Sequence, residues 1–175
     1  FEIFNISDNN LANLISKNID KIKGPTYIRL DKGNLEYNSK IKYNIEKGFE
    51  VVHSVNNKKI LIITSGYFCK LAKEASSKFQ NVSVLNLFRF KNFDKKKFLN
   101  TIKKYKKIII YDENSEYGGI SPILSTLFTK KKLKLDIKII ASIDSQSFFY
   151  FQKRDEMLQK LKINKEKLIE IIKKL

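Results

Sequence analysis

The sequence predicts an α/β fold: a three-layer sandwich with a mostly parallel sheet of about five strands and helices on both faces. Three observations predict it. Four strand-like segments recur, a continuous apolar run at Ile60–Ile63, as in a strand buried on both faces, then Val82–Leu87, Ile108–Tyr111 and Leu135–Ile140. Segments with helical spacing lie between and after them. Small or capping residues, Thr64-Ser-Gly66, Asp94 and Gly118-Gly119, stand where strand gives way to helix. Such alternation implies parallel strands joined by right-handed crossovers.

In order along the chain, Ser7 or Asp8 can cap a helix carrying Leu11, Leu14, Ile15 and Ile19. Gly24-Pro25 ends it, and Thr26–Leu30 is a short β-rich run. Residues 34–57 have poor periodicity and read as a linker with one extended segment, Phe49–Ser54. After the first buried strand, Leu71, Ala72, Ala75 and Phe79 line a helix. Asp94 caps the next, with Phe98, Leu99, Ile102 and Tyr105. Gly118-Gly119 opens a helix with Ile123, Leu124, Leu127 and Phe128. Two more close the chain, Arg154–Leu161 and Lys165–Leu175, the last capped by Asn164.

Composition narrows the function. The chain has 175 residues, 42% hydrophobic and 12% aromatic, enough to build a core rather than remain disordered. One cysteine, Cys69, excludes an intrachain disulfide, in keeping with a reducing cytosol. No apolar run reaches the length of a membrane span. The first residues lack a signal-peptide pattern, and the absence of an initiator methionine suggests a trimmed chain. The net charge of +17 would attract polyanions. Its lysines are scattered, however, and no RNA- or DNA-binding motif accompanies them, which argues for a solvated surface.

Candidate chemistry is sparse. Asp112 and Glu113 form an acidic pair at a strand end. Adjacent strand residues point to opposite faces, so hydrogen bonding to loop amides is the expected role, rather than joint acid–base work. Gly118-Gly119 could receive an anion at a helix N-terminus, or simply allow tight packing. Cys69 in a first helical turn reads as a buried apolar residue. His53 is the only histidine, so no His-rich metal site and no Ser-His-Asp unit can be drawn. Phe148-Phe-Tyr-Phe151 reads as a core or interdomain plug, since four successive rings cannot share one stacking face.

Three segments occur in a telling order: Gly24-Pro-Thr-Tyr-Ile-Arg-Leu-Asp-Lys-Gly33, Arg89-Phe-Lys-Asn-Phe-Asp94 and Asp112-Glu-Asn-Ser-Glu-Tyr-Gly-Gly119, followed by the tail from Ala141-Ser-Ile-Asp144. In that order they resemble the C-terminal part of transketolase-like, thiamine diphosphate-dependent enzymes. The departures are Asn92 where the family usually has Pro, Asn114 where many relatives have His, and Ile-Ser-Pro after Gly119. The resemblance implies residues 1–33 as a remnant of the pyrimidine-binding domain, 34–57 as linker and 58–175 as a transketolase-like C-terminal domain. It implies a parent enzyme that uses thiamine diphosphate and Mg²⁺ to transfer a two-carbon ketol unit between sugar phosphates. Deoxyxylulose-phosphate synthase and the β subunit of a 2-oxo-acid dehydrogenase stay open as parents.

The resemblance further implies that the cofactor, its metal and the catalytic glutamate belong to segments not in this sequence. The chain would then hold no catalytic, cofactor or metal residue, and would be architectural and inactive alone. Its partners would be the remaining domains in a cytoplasmic homodimer. Lys32 occupies the position at which several relatives bind a substrate phosphate, with Arg29 beside it as a second candidate or as an anchor of the domain junction. A solvated Lys32 is the plain alternative. A free-standing phosphate- or RNA-binding α/β module is the alternative of another class.

Overall fold

A computed structural model describes residues 1–33, 41–115, 117–142 and 153–175. The first part of the expected linker, Glu116, and the aromatic cluster 148–151 with the segment around it lie outside the described residues.

Among the described residues seven strands form two sheets. β1 (Glu2–Asn5) and β2 (Thr26–Arg29) pair in parallel, with α1 (Asn9–Ser16) and a 3₁₀ turn (Ile19–Lys21) crossing between them. The second sheet holds β3 (Phe49–His53), β4 (Ile60–Thr64), β5 (Val82–Leu87), β6 (Lys107–Ser115) and β7 (Asp136–Ser142). Its spatial order is β3-β5-β4-β6-β7, and only β3 runs antiparallel. The helices are α2 (Phe68–Ser76), α3 (Lys95–Ile102), α4 (Ile120–Lys130), α5 (Arg154–Lys160) and α6 (Lys165–Lys173). The mostly parallel five-stranded sheet with helices on both faces is as the sequence predicts.

The period of two along each strand sorts the core into two layers. Leu61, Ile63, Ile108 and Ile110 face α3 and α4, packing on Phe98, Ile102 and Leu124. Ile60, Ile62, Ile109 and Tyr111 face α2, α5 and α6, packing on Ala72, Leu158 and Leu168. A third cluster, Phe4, Ile6, Leu11, Ile15 and Phe88, fixes the N-terminal unit to the end of β5. The helix starts carry the expected caps. Asp8, Asp94 and Asn164 accept from the amides of Leu11, Lys97 and Lys167 at 2.9, 2.9 and 3.2 Å.

Three elements differ from the sequence reading. β1 was not predicted, because its four residues carry no distinctive pattern and its partner β2 lies more than twenty residues away. Ile19 leaves α1 for the 3₁₀ turn and is exposed. β6 runs on to Ser115, so Asp112 and Glu113 belong to a strand rather than to the loop after it.

Two helices end on lysines with positive φ, Lys132 at 50° and Lys162 at 57°. In each, the next amide reaches back five residues, Leu133 to Phe128 and Ile163 to Leu158. This is the helix stop that glycine serves best. Lys132→Gly is expected to raise stability by up to about 1 kcal/mol, measured by urea denaturation.

Candidate functional site

Open parallel sheets bind ligands beyond the C-terminal ends of their strands. In this molecule the N-terminal unit covers part of that rim. The amide of Asn5 donates to the Phe88 carbonyl at 2.9 Å and that of Phe90 to Ile3 at 3.0 Å. The Asn5 side chain donates to Ser65 at 3.0 Å, and Asn86 donates to Ser7 at 2.8 Å. Gly66, at φ +57°, leaves no room for a Cβ, which would stand 2.6 Å from the Asn5 amide. Tyr43 donates to Asp8, and burial beside that carboxylate pushes the phenol pKa far up.

Beside this unit the described part of the rim is ionic. Arg29, at the end of β2, donates to Asn114 Oδ1 at 2.8 Å and pairs with Glu113 at 3.3 Å. Arg154, at the start of α5, pairs with Asp31 at 2.6 Å and Glu113 at 3.6 Å, and lies 4.2 Å over the Tyr67 ring. The Arg154 guanidinium holds the Asp31 carboxyl below its ordinary range. Burial outweighs both arginines at Glu113 and raises its pKa. Two guanidinium groups and two carboxylates compensate one another here. Arg29 thus has protein partners, while Lys32, one residue past Asp31, is exposed.

Asp112 turns to the other face. Its carboxylate accepts the Ser121 amide at 2.9 Å, the Ser121 hydroxyl at 3.1 Å and the Asn114 amide at 3.1 Å. Burial raises its pKa despite these donors. A Cβ on Gly119 would overlap this carboxylate. The pair Gly118-Gly119 therefore opens a helix whose anion-receiving end already contains an anion, the protein's own. Asp112 and Glu113 do diverge, as strand geometry requires. The expected amide bonding falls to Asp112, and Glu113 instead joins the ionic rim.

Cys69 is buried in the first turn of α2 with its thiol pKa pushed well up by burial, which suits packing rather than nucleophilic chemistry. His53 lies in β3, its pKa lowered by burial. Beneath the rim, Asp8, Asp31, Tyr43, Tyr67, Lys70 and Lys73 line a cavity of about 40 Å³, room for about one or two waters. The ionic rim was not found as a unit from sequence. Arg29, Glu113 and the segment containing Asp31 each stood out singly, but Arg154 carried no local pattern.

A doubly wound α/β domain whose strand-end crevice is partly covered by a two-stranded N-terminal unit is the class that fold and site define. The family model described as transketolase, C-terminal domain, matches residues 50–168, and the chain belongs to that family. Over 161 residues it is 24% identical to the 1-deoxy-D-xylulose-5-phosphate synthase of Alkaliphilus oremlandii (strain OhILAs), covering 88% of this chain and 25% of that protein. A split gene transketolase, solved as an inactive β4 tetramer, superposes with a TM-score of 0.83 at 17% identity, covering 99% of this chain and 57% of that one. The transketolase of Campylobacter jejuni subsp. jejuni NCTC 11168 gives 0.71 at 17% identity, over 100% of this chain and 26% of its own. That of Leishmania mexicana gives 0.72 at 16%, over 99% and 25%. The chain thus spans about a quarter to just over half the length of these relatives.

Proposed function

We propose that this chain is the C-terminal portion of a transketolase-like enzyme that transfers a two-carbon ketol unit between sugar phosphates. The observation that carries the reading is the family match over residues 50–168, joined to a likeness of fold that runs through the N-terminal unit as well. In this reading residues 1–33 end a pyrimidine-binding domain, 34–57 link, and 58–175 form the C-terminal domain. The identity to a deoxyxylulose-phosphate synthase favours that enzyme as the second reading.

Among the described residues the parent's thiamine diphosphate and Mg²⁺ meet no fitting set of side chains. Among the described residues no three His, Cys, Asp or Glu side chains come together to hold a metal. The α4 N-terminus, the obvious seat for a phosphate, is filled by Asp112. In this reading the cofactor belongs to the rest of the parent, and no step of its chemistry is assigned to this chain. The chain's own part is architectural: it braces the pyrimidine-binding domain and extends a homodimer. The parent works in the cytoplasm, and no helix among the described residues is long and apolar enough to cross a membrane. The filled helix end also disfavours a free-standing phosphate-binding module.

Calorimetric titration with thiamine diphosphate and Mg²⁺ tests this. The chain alone is expected to give no binding heat, and the chain assembled with its missing domains to restore ketol transfer. Tight cofactor binding by the chain alone would sink the reading. Within the assembled enzyme, Lys32 is the phosphate ligand and Arg29 its neighbour, anchored by Glu113. Lys32→Ala is expected to raise KM for a phosphorylated acceptor by about tenfold or more, with little change for the unphosphorylated sugar. Equal effects on both acceptors would remove Lys32 from the site.

A further inference from the structure

One ion pair of the rim ties the two parts of the chain together beside Lys32. Asp31 lies just beyond β2, in the N-terminal unit, and Arg154 opens α5. The Asp31 carboxylate divides its oxygens. Oδ2 takes the Arg154 guanidinium at 2.6 Å, and Oδ1 accepts the Gly33 amide at 2.9 Å. The second bond closes a turn over residues 31–33, with Lys32 between its ends. Arg154 is itself held, by Glu113 at 3.6 Å and over the Tyr67 ring at 4.2 Å.

The charges leave one cation over. Arg29 and Arg154 face Asp31 and Glu113, and Arg29 is committed to Glu113 and Asn114. Lys32 is exposed, and among the described residues it has no ion-pair partner. Lys70 and Lys73 line the cavity below with Asp31 and have interactions of their own.

The Asp31 side chain is only 10% exposed. Without Arg154 its buried charge would keep a single amide donor, a costly state. Lys32, the next residue, carries its ammonium on a long flexible stem and would swing to it. A lysine paired with Asp31 is withheld from a phosphate.

We propose that Arg154 is a positioning residue for the acceptor's phosphate: by occupying Asp31 it holds the 31–33 turn and leaves the Lys32 ammonium free for the phosphate group. The proposal rests on the reading of Lys32 as the phosphate ligand. It gives the C-terminal domain a part in the choice of acceptor, exerted from α5 through Lys32.

The test is a double-mutant cycle on the assembled enzyme, with KM and kcat read separately for a phosphorylated and an unphosphorylated acceptor. Arg154→Met is expected to raise KM for the phosphorylated acceptor about fivefold, with kcat within about twofold of native. In a Lys32→Ala background the same substitution is expected to change that KM by less than about twofold. Asp31→Asn keeps an oxygen for the Gly33 amide but no charge. Added to Arg154→Met, it is expected to return KM to within about twofold of native. Should Arg154→Met fail to fold, Arg154→Gln, a neutral donor to Asp31, is read in the same cycle. No rise in KM, an equal rise for both acceptors, a rise that persists without Lys32, or no recovery with Asp31→Asn would each overturn the positioning role. Lys32→Ala acting equally on both acceptors would instead overturn the reading beneath it, and the proposal with it.

Discussion

Gly119→Ala is expected to cost about 2–4 kcal/mol in urea or thermal unfolding. The added methyl overlaps the Asp112 carboxylate, and that carboxylate cannot step aside without surrendering the Ser121 and Asn114 amides. The start of α4 would lose its cap, and Ile120, which packs in the core, would shift with it. Gly118→Ala makes the control, since a Cβ there meets nothing. It is expected to change stability by less than about 1 kcal/mol. Equal losses at the two glycines would mean that the carboxylate is not what demands glycine at 119.

Arg89→Met is expected to destabilise the fold by about 3 kcal/mol. Arg89 lies beyond β5 and holds the Glu2 carboxylate through two nitrogens, at 2.9 and 2.8 Å, while Asn92 adds a third donor. The Glu2 side chain is only 7% exposed. Removing the arginine leaves a buried charge with one neutral donor, which costs more than the pair contributes. The arginine's hydrogen bonds hold the Glu2 pKa below its ordinary value. A carboxyl depressed in the folded state stabilises above its unfolded pKa, and that stability is lost as pH falls through the folded value. The native chain should therefore weaken below about pH 4.5, and Glu2→Gln should flatten that limb of a stability–pH curve. An unaltered acid limb in Glu2→Gln would assign the acid sensitivity elsewhere.

The parallel sheet was legible because its central strands β4, β5 and β6 are buried on both faces, and β4 opens Ile-Leu-Ile-Ile with no polar residue to interrupt it. The three side-chain caps were legible because Asp8, Asp94 and Asn164 act within a single turn, where sequence separation and spatial separation coincide. The ionic rim was not. Arg29 and Asn114 stand 85 residues apart, and Arg154 meets Asp31 only once β2 and α5 have been brought to the same end of the sheet. Spacing along a chain carries no information about such meetings. Gly119 was visible as a glycine, but its reason, a carboxylate seven residues earlier that folds back over it, needed the path of β6. Asn92 occupies the position at which the family resemblance leads one to expect proline. Its side chain binds Glu2, a contact proline could not make.

The plug formed by Asp112 also bears on how ligands are inferred from architecture. A crossover helix launched from the end of a parallel strand by two glycines looks, in outline, like a cradle for a nucleotide. One internal carboxylate turns the cradle into a keystone. Screening molecules of this shape for nucleotide affinity should begin by asking whether an acidic side chain on the preceding strand already sits in the seat.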